Sequence, residues 1–356
     1  MWPDTIRQYW SQRLFKVLTR VQMMAWSQLS TVALVVVAVF FDFLNGFHDS
    51  ANIVATMISS KAMSPRNALA LSAVAHFCAP FLFGVAVATT IGKDVVSPDT
   101  ITVSVVMAAL LSAIAWNLIT WFFGLPSSSS HALVGGLVGA VTVATGVHAI
   151  RGEGLLKVVV ALIGSPLVGL IFGFLIMKLM LFLVRGATPR VNWFFKRGQV
   201  LTAVALALSH GTNDAQKTMG IMTMGLVAGG FLPEFTVPFW VIGLSASAIS
   251  LGTALGGWRI IKTLGAGLYR LRAVDGFVSQ ASSSVVILGA ALMGGPVSTT
   301  QVVSSSIMGA GSAQRVSKVR WGLAADILAA WLMTIPISAL AAALLYWPLD
   351  RLLGGA

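Results

Sequence analysis

Charged side chains make up only 10% of this 356-residue sequence, and acids are the scarcer kind, 11 Asp and Glu against 23 Lys and Arg. With hydrophobic residues at 57% and a mean hydropathy of +0.88, most of the chain would be insoluble on a water-facing surface, which excludes a soluble globular protein. The single cysteine, Cys78, lies in the apolar run SAVAHFCAPF, so neither an internal disulfide nor a cysteine-based metal site is available. No H-E-x-x-H or equivalent spacing occurs, and none of the histidines is arranged as a metal cluster. The alternating segments of about 10 residues that mark a β-barrel are missing as well.

What is present is a series of long apolar runs, at 29–41, 68–91, 101–123, 158–184 and 237–255. They approach or exceed the ~20 residues that cross a hydrocarbon core, and lipid leaves no solvent for unpaired backbone groups, so they read as helices. The formal net charge of +12 falls in short loops between these runs rather than along one face, which points to membrane topology and away from nucleic acid. Residues 1–28 carry Arg7, Arg13, Lys16 and Arg20 among apolar side chains and read as an amphipathic segment lying on lipid. The charged stretch is too long, and lacks the small-residue cleavage site, for a signal peptide.

Two motifs recur. Gly46, His48, Asp49 and Asn52 return as Gly211, Asn213, Asp214 and Lys217; Pro126 to His131 with Gly139 return as Pro296 to Gln301 with Gly309. The same order at nearly the same offset implies a duplicated unit, 29–184 and 198–347, joined by a connection at 185–197 and followed by a tail at 348–356. Loop charge then sets their relative orientation. Lys61 and Arg66 follow the first motif, whereas 229–238 holds only Glu234; the next loops reverse the bias, with Lys93, Asp94 and Asp99 against Arg259, Lys262, Arg270 and Arg272. The positive-inside rule puts equivalent loops on opposite sides, so the expected architecture is an all-α polytopic membrane protein of two inverted-topology repeats. Loops 61–66, 185–197, 259–272 and 315–320 are then cytoplasmic and hold 13 Lys and Arg, against 4 in 92–99, 151–157, 229–238 and the tail. The basic segment 1–28 falls on the wrong side of this scheme.

Burying an ionisable group at membrane depth costs at least ~2.5–3.5 kcal/mol, so Asp42, Asp49, Asp214 and Asp326 each require a reason. Asp49 and Asp214 are repeat equivalents beside glycines, as expected where a helix is broken, and are assigned to a coupling cation or proton with Asn45 and His48 nearby; capping of broken helices is the alternative. Asp42, seven residues before Asp49, reads either as a second ion carrier or as a helix-to-helix hydrogen bond. Asp326 lacks a repeat partner and reads as structural. The Ser-rich hairpins, with Ser128, Ser129 and Ser130 in one half and Ser298, Thr299 and Thr300 in the other, offer the small neutral donors that a tetrahedral oxyanion needs in a dry site. Close helix packing by small residues is the competing reading. His131 and His210 flank the motifs, His76 and His148 stand apart, and Lys217 either attracts the anion or neutralises Asp214.

The strings NGFHDSANIVAT, GLPSSSSHALVGGLVGA, SHGTNDAQKTMG and GPVSTTQVVSSSIMGAG resemble the signatures of the PiT family of inorganic phosphate transporters, in order, over 29–347. The resemblance implies inverted repeats with re-entrant hairpins, secondary transport of inorganic phosphate coupled to H⁺ or Na⁺, and a lipid-embedded homodimer with one pathway per protomer. It further implies that Asp49, Asn52, Asn213 and Asp214 form the ion and phosphate centre, with the hairpin hydroxyls and Lys217 around the substrate. The wording GFHD is similar to bacterial low-affinity carriers of the inner membrane that use H⁺ and take phosphate as a neutral metal complex. Gln301 departs from the family's usual His, and 185–197 leaves no room for an inserted soluble domain. A sulfate or other oxyanion permease, a membrane enzyme and an anion channel are the other classes weighed; no organic cofactor, no catalytic residue and no nucleic-acid partner is expected.

Overall fold

The polar residues of the two motifs sit inside two long helices, and the rest of the fold is arranged around them. The computed structural model of the chain describes residues 4–97 and 100–353. Helix α1 (Asp4–Ser59) carries the first motif and α7 (Val191–Ala228) the second. Each is followed by a bent pair: α2 (Pro65–Leu82) turns by 70° into α3 (Ala86–Thr89), and α8 (Phe239–Leu255) turns by 59° into α9 (Trp258–Lys262). Then come a hairpin, α4 (Val103–Phe123) with α5 (Ser129–Ala144), and a long helix, α6 (Gly152–Leu183). The second half repeats this order with α10 (Ala273–Leu292), α11 (Thr299–Gln314) and α12 (Trp321–Leu353). Five helices among the described residues are long and apolar enough to cross a membrane, or seven if each bent pair is one span. The chain is a multi-pass all-α membrane protein.

Packing between the halves is reciprocal. Helix α6 lies along α11, and its counterpart α12 lies along α5. These contacts need bare backbone: a Cβ on Gly309 would stand 2.1 Å from the Leu170 carbonyl oxygen, and one on Gly139 would stand 2.1 Å from that of Ala339. Helices α1 and α7 run antiparallel, because Ser60 near the end of α1 bonds Gln199 near the start of α7 at 2.7 Å, while Gly225 near the end of α7 abuts Leu34.

The ends of the bundle sort the loops as their charge predicts. Ser59 donates to the Gly265 carbonyl, Arg320 to that of Gly267, and Lys318 reaches Asp275 at 3.4 Å, so the basic loops gather at one end. At the other end Arg151 donates to the Lys93 carbonyl at 3.0 Å, Lys93 sits over the Phe235 ring, and Trp26 donates to the Leu352 carbonyl at 3.1 Å. The N-terminal segment is not set off from the first crossing, since α1 is helical from Asp4 onward; residues 1–3 and 354–356 lie outside the described residues.

Two expectations need correction. The helices do not unwind at Gly46 or Gly211: α1 and α7 pass through both motifs intact. These glycines allow close approach instead, since a Cβ would meet the Ile249 carbonyl at 2.1 Å and the Ala79 methyl at 2.9 Å. The real breaks lie between α2 and α3 and between α8 and α9, and they cradle the hairpin tips. Gly124 and Gly294, each at positive φ after the first helix of a hairpin, lie against Thr263 and Arg259 and against Thr90 and Ala86 respectively. Asp326 is the second correction: it is exposed within the first two turns of α12, not buried in the bundle.

Candidate functional site

The tips of both hairpins are buried. Residues 125–128 lie outside any helix before α5 begins, and Ser128, in an extended conformation, caps it by accepting from the His131 N–H at 3.1 Å. Ser298 caps α11 in the same way, accepting from the Gln301 N–H at 3.4 Å. Each tip therefore presents a helix N-terminus and hydroxyls towards the centre of the bundle, where a positive dipole end and N–H groups favour an anion. Ser129 and Thr299 occupy the first turns, and all six predicted hairpin residues are buried.

Between the tips lie the motif side chains. Thr300 Oγ1 donates to Asp49 Oδ1 at 2.8 Å and Thr299 Oγ1 to Asp214 Oδ2 at 2.9 Å, so one hairpin holds both carboxylates. His48 Nδ1 lies 3.0 Å from Asp49 Oδ1. His210 bridges the pair, with Nδ1 3.3 Å from Asp214 Oδ2 and Nε2 4.0 Å from Asp49 Oδ2. Lys217 Nζ pairs with Asp214 Oδ1 and also donates to Ser130 Oγ at 2.6 Å and to the Val297 carbonyl at 2.7 Å. All three ammonium protons are thus used. Of the two sequence readings of Lys217, these contacts fit neutralisation of Asp214, and they also tie the second motif to the first hairpin.

Repeat-equivalent residues make equivalent contacts. Lys217 Nζ to Ser130 Oγ is matched by Asn52 Nδ2 to Thr300 Oγ1 at 3.0 Å, because Asn52 is the counterpart of Lys217 and Thr300 that of Ser130. Asn213 Nδ2 donates to the Gly295 carbonyl at 3.1 Å. The acceptors Asp49 Oδ2, Asn52 Oδ1, Asn213 Oδ1 and Asn45 Oδ1 are buried without a partner. Such open oxygens suit a cation or a proton.

Asp42 is wholly buried, and its carboxylate oxygens make no well-formed hydrogen bond; the Thr218 and Ser245 hydroxyls that face it are equally unpartnered. Asp42 on α1 faces Thr218 of α7 and Ser245 of α8, surroundings that fit both of its sequence readings.

Two residues were undervalued from sequence. His210 was placed beside the motif, yet it is the centre of the cluster; with Asp49 and Asp214 it forms a group whose ligand atoms lie within 4.8 Å of one another and could hold a metal ion. The expectation that no histidine joins a metal-type cluster is therefore corrected: the three residues come from two helices, so no local spacing shows them. Gln216 is the other, accepting from the Val87 N–H at 2.8 Å and so fixing the start of α3 beside the site. His76 and His148 both read from sequence as hydrogen-bonded within the bundle; His76 is bonded to Thr253 at 2.7 Å and stacked on His210, whereas His148 is exposed.

Donor-rich helix ends facing a carboxylate pair, inside a multi-pass helical bundle, are the anatomy of a membrane transport protein for an anion. Residues 45–193 and 185–342 match the phosphate transporter family, and the chain belongs to that family. It is 45% identical over 321 residues to the "Probable low-affinity inorganic phosphate transporter" of Rhizobium meliloti, covering 90% of this chain and 96% of the relative. The protein of the same name from Bacillus subtilis is 44% identical over 326 residues, covering 90% and 98%. These relatives are named as transporters, not enzymes. A solved structure titled "The sodium-dependent phosphate transporter" superposes with a TM-score of 0.83 at 24% identity, over 90% of this chain and 99% of that one, and shows the same fold.

Proposed function

We propose that this protein is a secondary active symporter that brings inorganic phosphate into the cell across the bacterial inner membrane, coupled to H⁺, as a homodimer of two-repeat protomers. The observation that carries this reading is the convergence of two hairpin N-termini on the Asp49, His210, Asp214 and Lys217 cluster. Phosphate sits between Ser128, Ser129 and Ser130 on one side and Ser298, Thr299 and Thr300 on the other, with Asn52 and Asn213 as further donors and the Lys217 ammonium, held by Asp214, Ser130 and Val297, as a fixed positive charge beside it. Reciprocal packing of the halves, antiparallel α1 and α7 and the sorting of basic loops to one end support the inverted relation of the repeats.

Coupling follows from energetics. A divalent phosphate entering against 100 mV, inside negative, meets about 4.6 kcal/mol, so uncoupled accumulation fails. The two carboxylates are not equal in this respect. Asp214 carries a fixed counter-ion in Lys217, whereas the equivalent position beside Asp49 is the neutral Asn52. Asp49, flanked by His48 and His210, is the group free to take up a proton, with Asp42 as a second carrier on the same helix. Sodium coupling and transport of sulfate are the alternatives.

A second reading of the cargo rests on the Asp49, His210 and Asp214 group, whose ligand atoms converge within 4.8 Å: phosphate would enter as a neutral complex with a divalent metal. Phosphate uptake by proteoliposomes, with imposed pH or Na⁺ gradients and with or without divalent metal, tests both readings. Absence of concentrative uptake under every gradient would overturn the symporter assignment.

A further inference from the structure

The two ways out of the site are lined differently. Towards the basic end, α1, α7 and α10 enclose a continuous polar column. Gln280 Nε2 donates to the Ile53 carbonyl at 3.1 Å, one residue from Asn52, and to Thr56 Oγ1 at 2.9 Å; Thr202 Oγ1 donates to Gln280 Oε1 at 2.8 Å. A turn further on, Ser60 Oγ donates to Gln199 Oε1 at 2.7 Å. Ser279 and Ser283, both buried, lie at helical spacing on the face of α10 that carries Gly276 and Gln280, the Ser279 hydroxyl donating to the Asp275 carbonyl of its own helix. Two polar atoms in the column, Gln199 Nε2 and Ser283 Oγ, are fully buried without a partner.

The opposite way out, between α7, α1 and α4, holds the repeat equivalents of these residues. Thr56 and Ser60 correspond to Ile221 and Gly225, Gln199 and Thr202 to Leu34 and Val37, and Ser279, Gln280 and Ser283 to Ala109, Leu110 and Ala113. Every one of the seven polar side chains is replaced by an apolar side chain or glycine, and six of the replacements belong to or pack on one hydrophobic cluster with Phe41. Even the closing contact is repeated: Ser60 against Gln199 becomes Gly225 against Leu34.

A duplicated scaffold has no structural need for such a difference. If these polar groups served only to join helices, the second interface would need them equally, yet it packs without them. Neutral amides and hydroxyls can exchange water for phosphate oxygens without trapping the ion, as a conduit requires. Beyond Ser60 and Gln199, the exposed Lys61, Lys196 and Arg197 give the mouth a positive potential that attracts an anion.

We propose that this column is the passage by which hydrated phosphate moves between the site and the basic, cytoplasmic face, with the Ser60 and Gln199 pair as its closed end. In the structure α10 shuts it at Gly276, where a Cβ would stand 1.9 Å from Gln199 Nε2. The opposite exit has no such hydrogen-bonded column: Leu34, Val37, Ala109, Leu110, Ala113 and Ile221 pack there, and the buried Asp42, Thr218 and Thr223 on the same helices are joined into no chain of hydrogen bonds. The proposal rests on the phosphate-transport reading and adds the route and its asymmetry.

The test uses full-length protein in proteoliposomes of known orientation, in a Cys78→Ser background. Ser283→Cys is expected to react with a membrane-impermeant, negatively charged thiol reagent added at the basic face about tenfold or more faster than the equivalent Ala113→Cys reacts from either face, and to be slowed by saturating phosphate. Equal rates for the two positions, or no reaction of Ser283→Cys in transport-competent protein, would overturn the proposal. Independently, Gln199→Leu with Gln280→Leu should slow phosphate counterflow about tenfold or more, roughly the worth of one hydrogen bond to a charged group. Equilibrium phosphate binding to the purified protein should persist. Unchanged counterflow would reduce the column to helix packing. Should the leucine variant not fold, the labelling comparison decides alone; failure of the unmodified protein to bind phosphate would instead sink the transport reading.

Discussion

Thr300 Oγ1 stands between two residues of the other half, donating to Asp49 Oδ1 at 2.8 Å and accepting from Asn52 Nδ2 at 3.0 Å. One hydroxyl therefore joins the second hairpin to the first motif. An arriving oxyanion would compete for this donor, so the contact couples substrate occupancy to the state of Asp49. Thr300→Ala is expected to weaken phosphate binding by ~1.5–3 kcal/mol, the worth of a hydrogen bond to a charged group, and Thr300→Ser to restore most of it. Ser129→Ala should weaken binding in the same direction. Calorimetry or equilibrium binding on purified protein reads the change, and unchanged affinity in Thr300→Ala and Ser129→Ala would return the hairpins to a packing role.

The carboxylates should separate by stability. Asp49→Asn and Asp214→Asn are both expected to abolish concentrative uptake. Asp214→Asn additionally leaves the buried Lys217 without its counter-ion, and breaking a buried pair costs about 3–5 kcal/mol, whereas Asp49 has no fixed cation to strand. Thermal unfolding in detergent should thus fall clearly for Asp214→Asn and much less for Asp49→Asn. Equal losses would contradict the division of roles between them.

The paired long helices make a packing prediction that is independent of transport. Gly139→Ala and Gly309→Ala each push a methyl group into the backbone of a neighbouring helix, 2.1 Å from a carbonyl oxygen, and should destabilise by roughly 1–3 kcal/mol. The nearby Gly164→Ala, whose Cβ meets nothing within 4 Å, serves as the neutral control on α6. Similar melting temperatures for all three would mean that α5 and α11 can move away from α12 and α6 at little cost.

What could be read in advance divides along physical lines. Asp49, Asp214 and the Ser/Thr hairpins were legible because duplication prints each of them twice, and the gathering of the basic loops at one end of the bundle was legible because loop charge is local in sequence. His210 was not, since its repeat counterpart is Asn45 and its importance arises only when α1 and α7 cross. The intact helices at Gly46 and Gly211 were hidden for a similar reason: glycine marks a break and a close helix crossing alike, and the neighbouring Ile249 and Ala79 decide which. Asp326 misled because its flanks, AADILAAWLM, are apolar, while its distance from the start of α12 depends on where that helix begins.

Asp42 offers a test of the second carrier. Its carboxylate is wholly buried, has no well-formed hydrogen bond and is faced by unpartnered hydroxyls of Thr218 and Ser245. Asp42→Asn keeps the shape and removes the titratable group, so it should preserve folding and phosphate binding while lowering the number of cations moved per phosphate. Comparing charge movement with labelled phosphate uptake in the same proteoliposomes measures this ratio; an unchanged ratio would leave Asp42 outside the coupling.

The coupling ion is the remaining choice, and the ion proposed above is the proton. His48, His210, Asp49 and Asp214 are all within 4.0 Å of at least one other member, forming a chain of titratable groups through which a proton can be passed. A sodium site needs several oxygen ligands, and Asn45, Asn52 and Asn213 do leave an oxygen open beside Asp49, so the competing outcome has its own ligands ready. The two ions differ in what they ask of His210. A proton pathway uses its ring nitrogens, which face Asp49 on one side and Asp214 on the other; a sodium site would use the carboxylates and amides and need only the space His210 fills. Phosphate uptake should therefore be driven by a pH gradient in Na⁺-free buffer and should be lost in His210→Gln, which keeps bulk and hydrogen bonding but cannot titrate. Accumulation driven only by a Na⁺ gradient at equal pH, and surviving His210→Gln, would make this a sodium symporter and remove the proton from the mechanism.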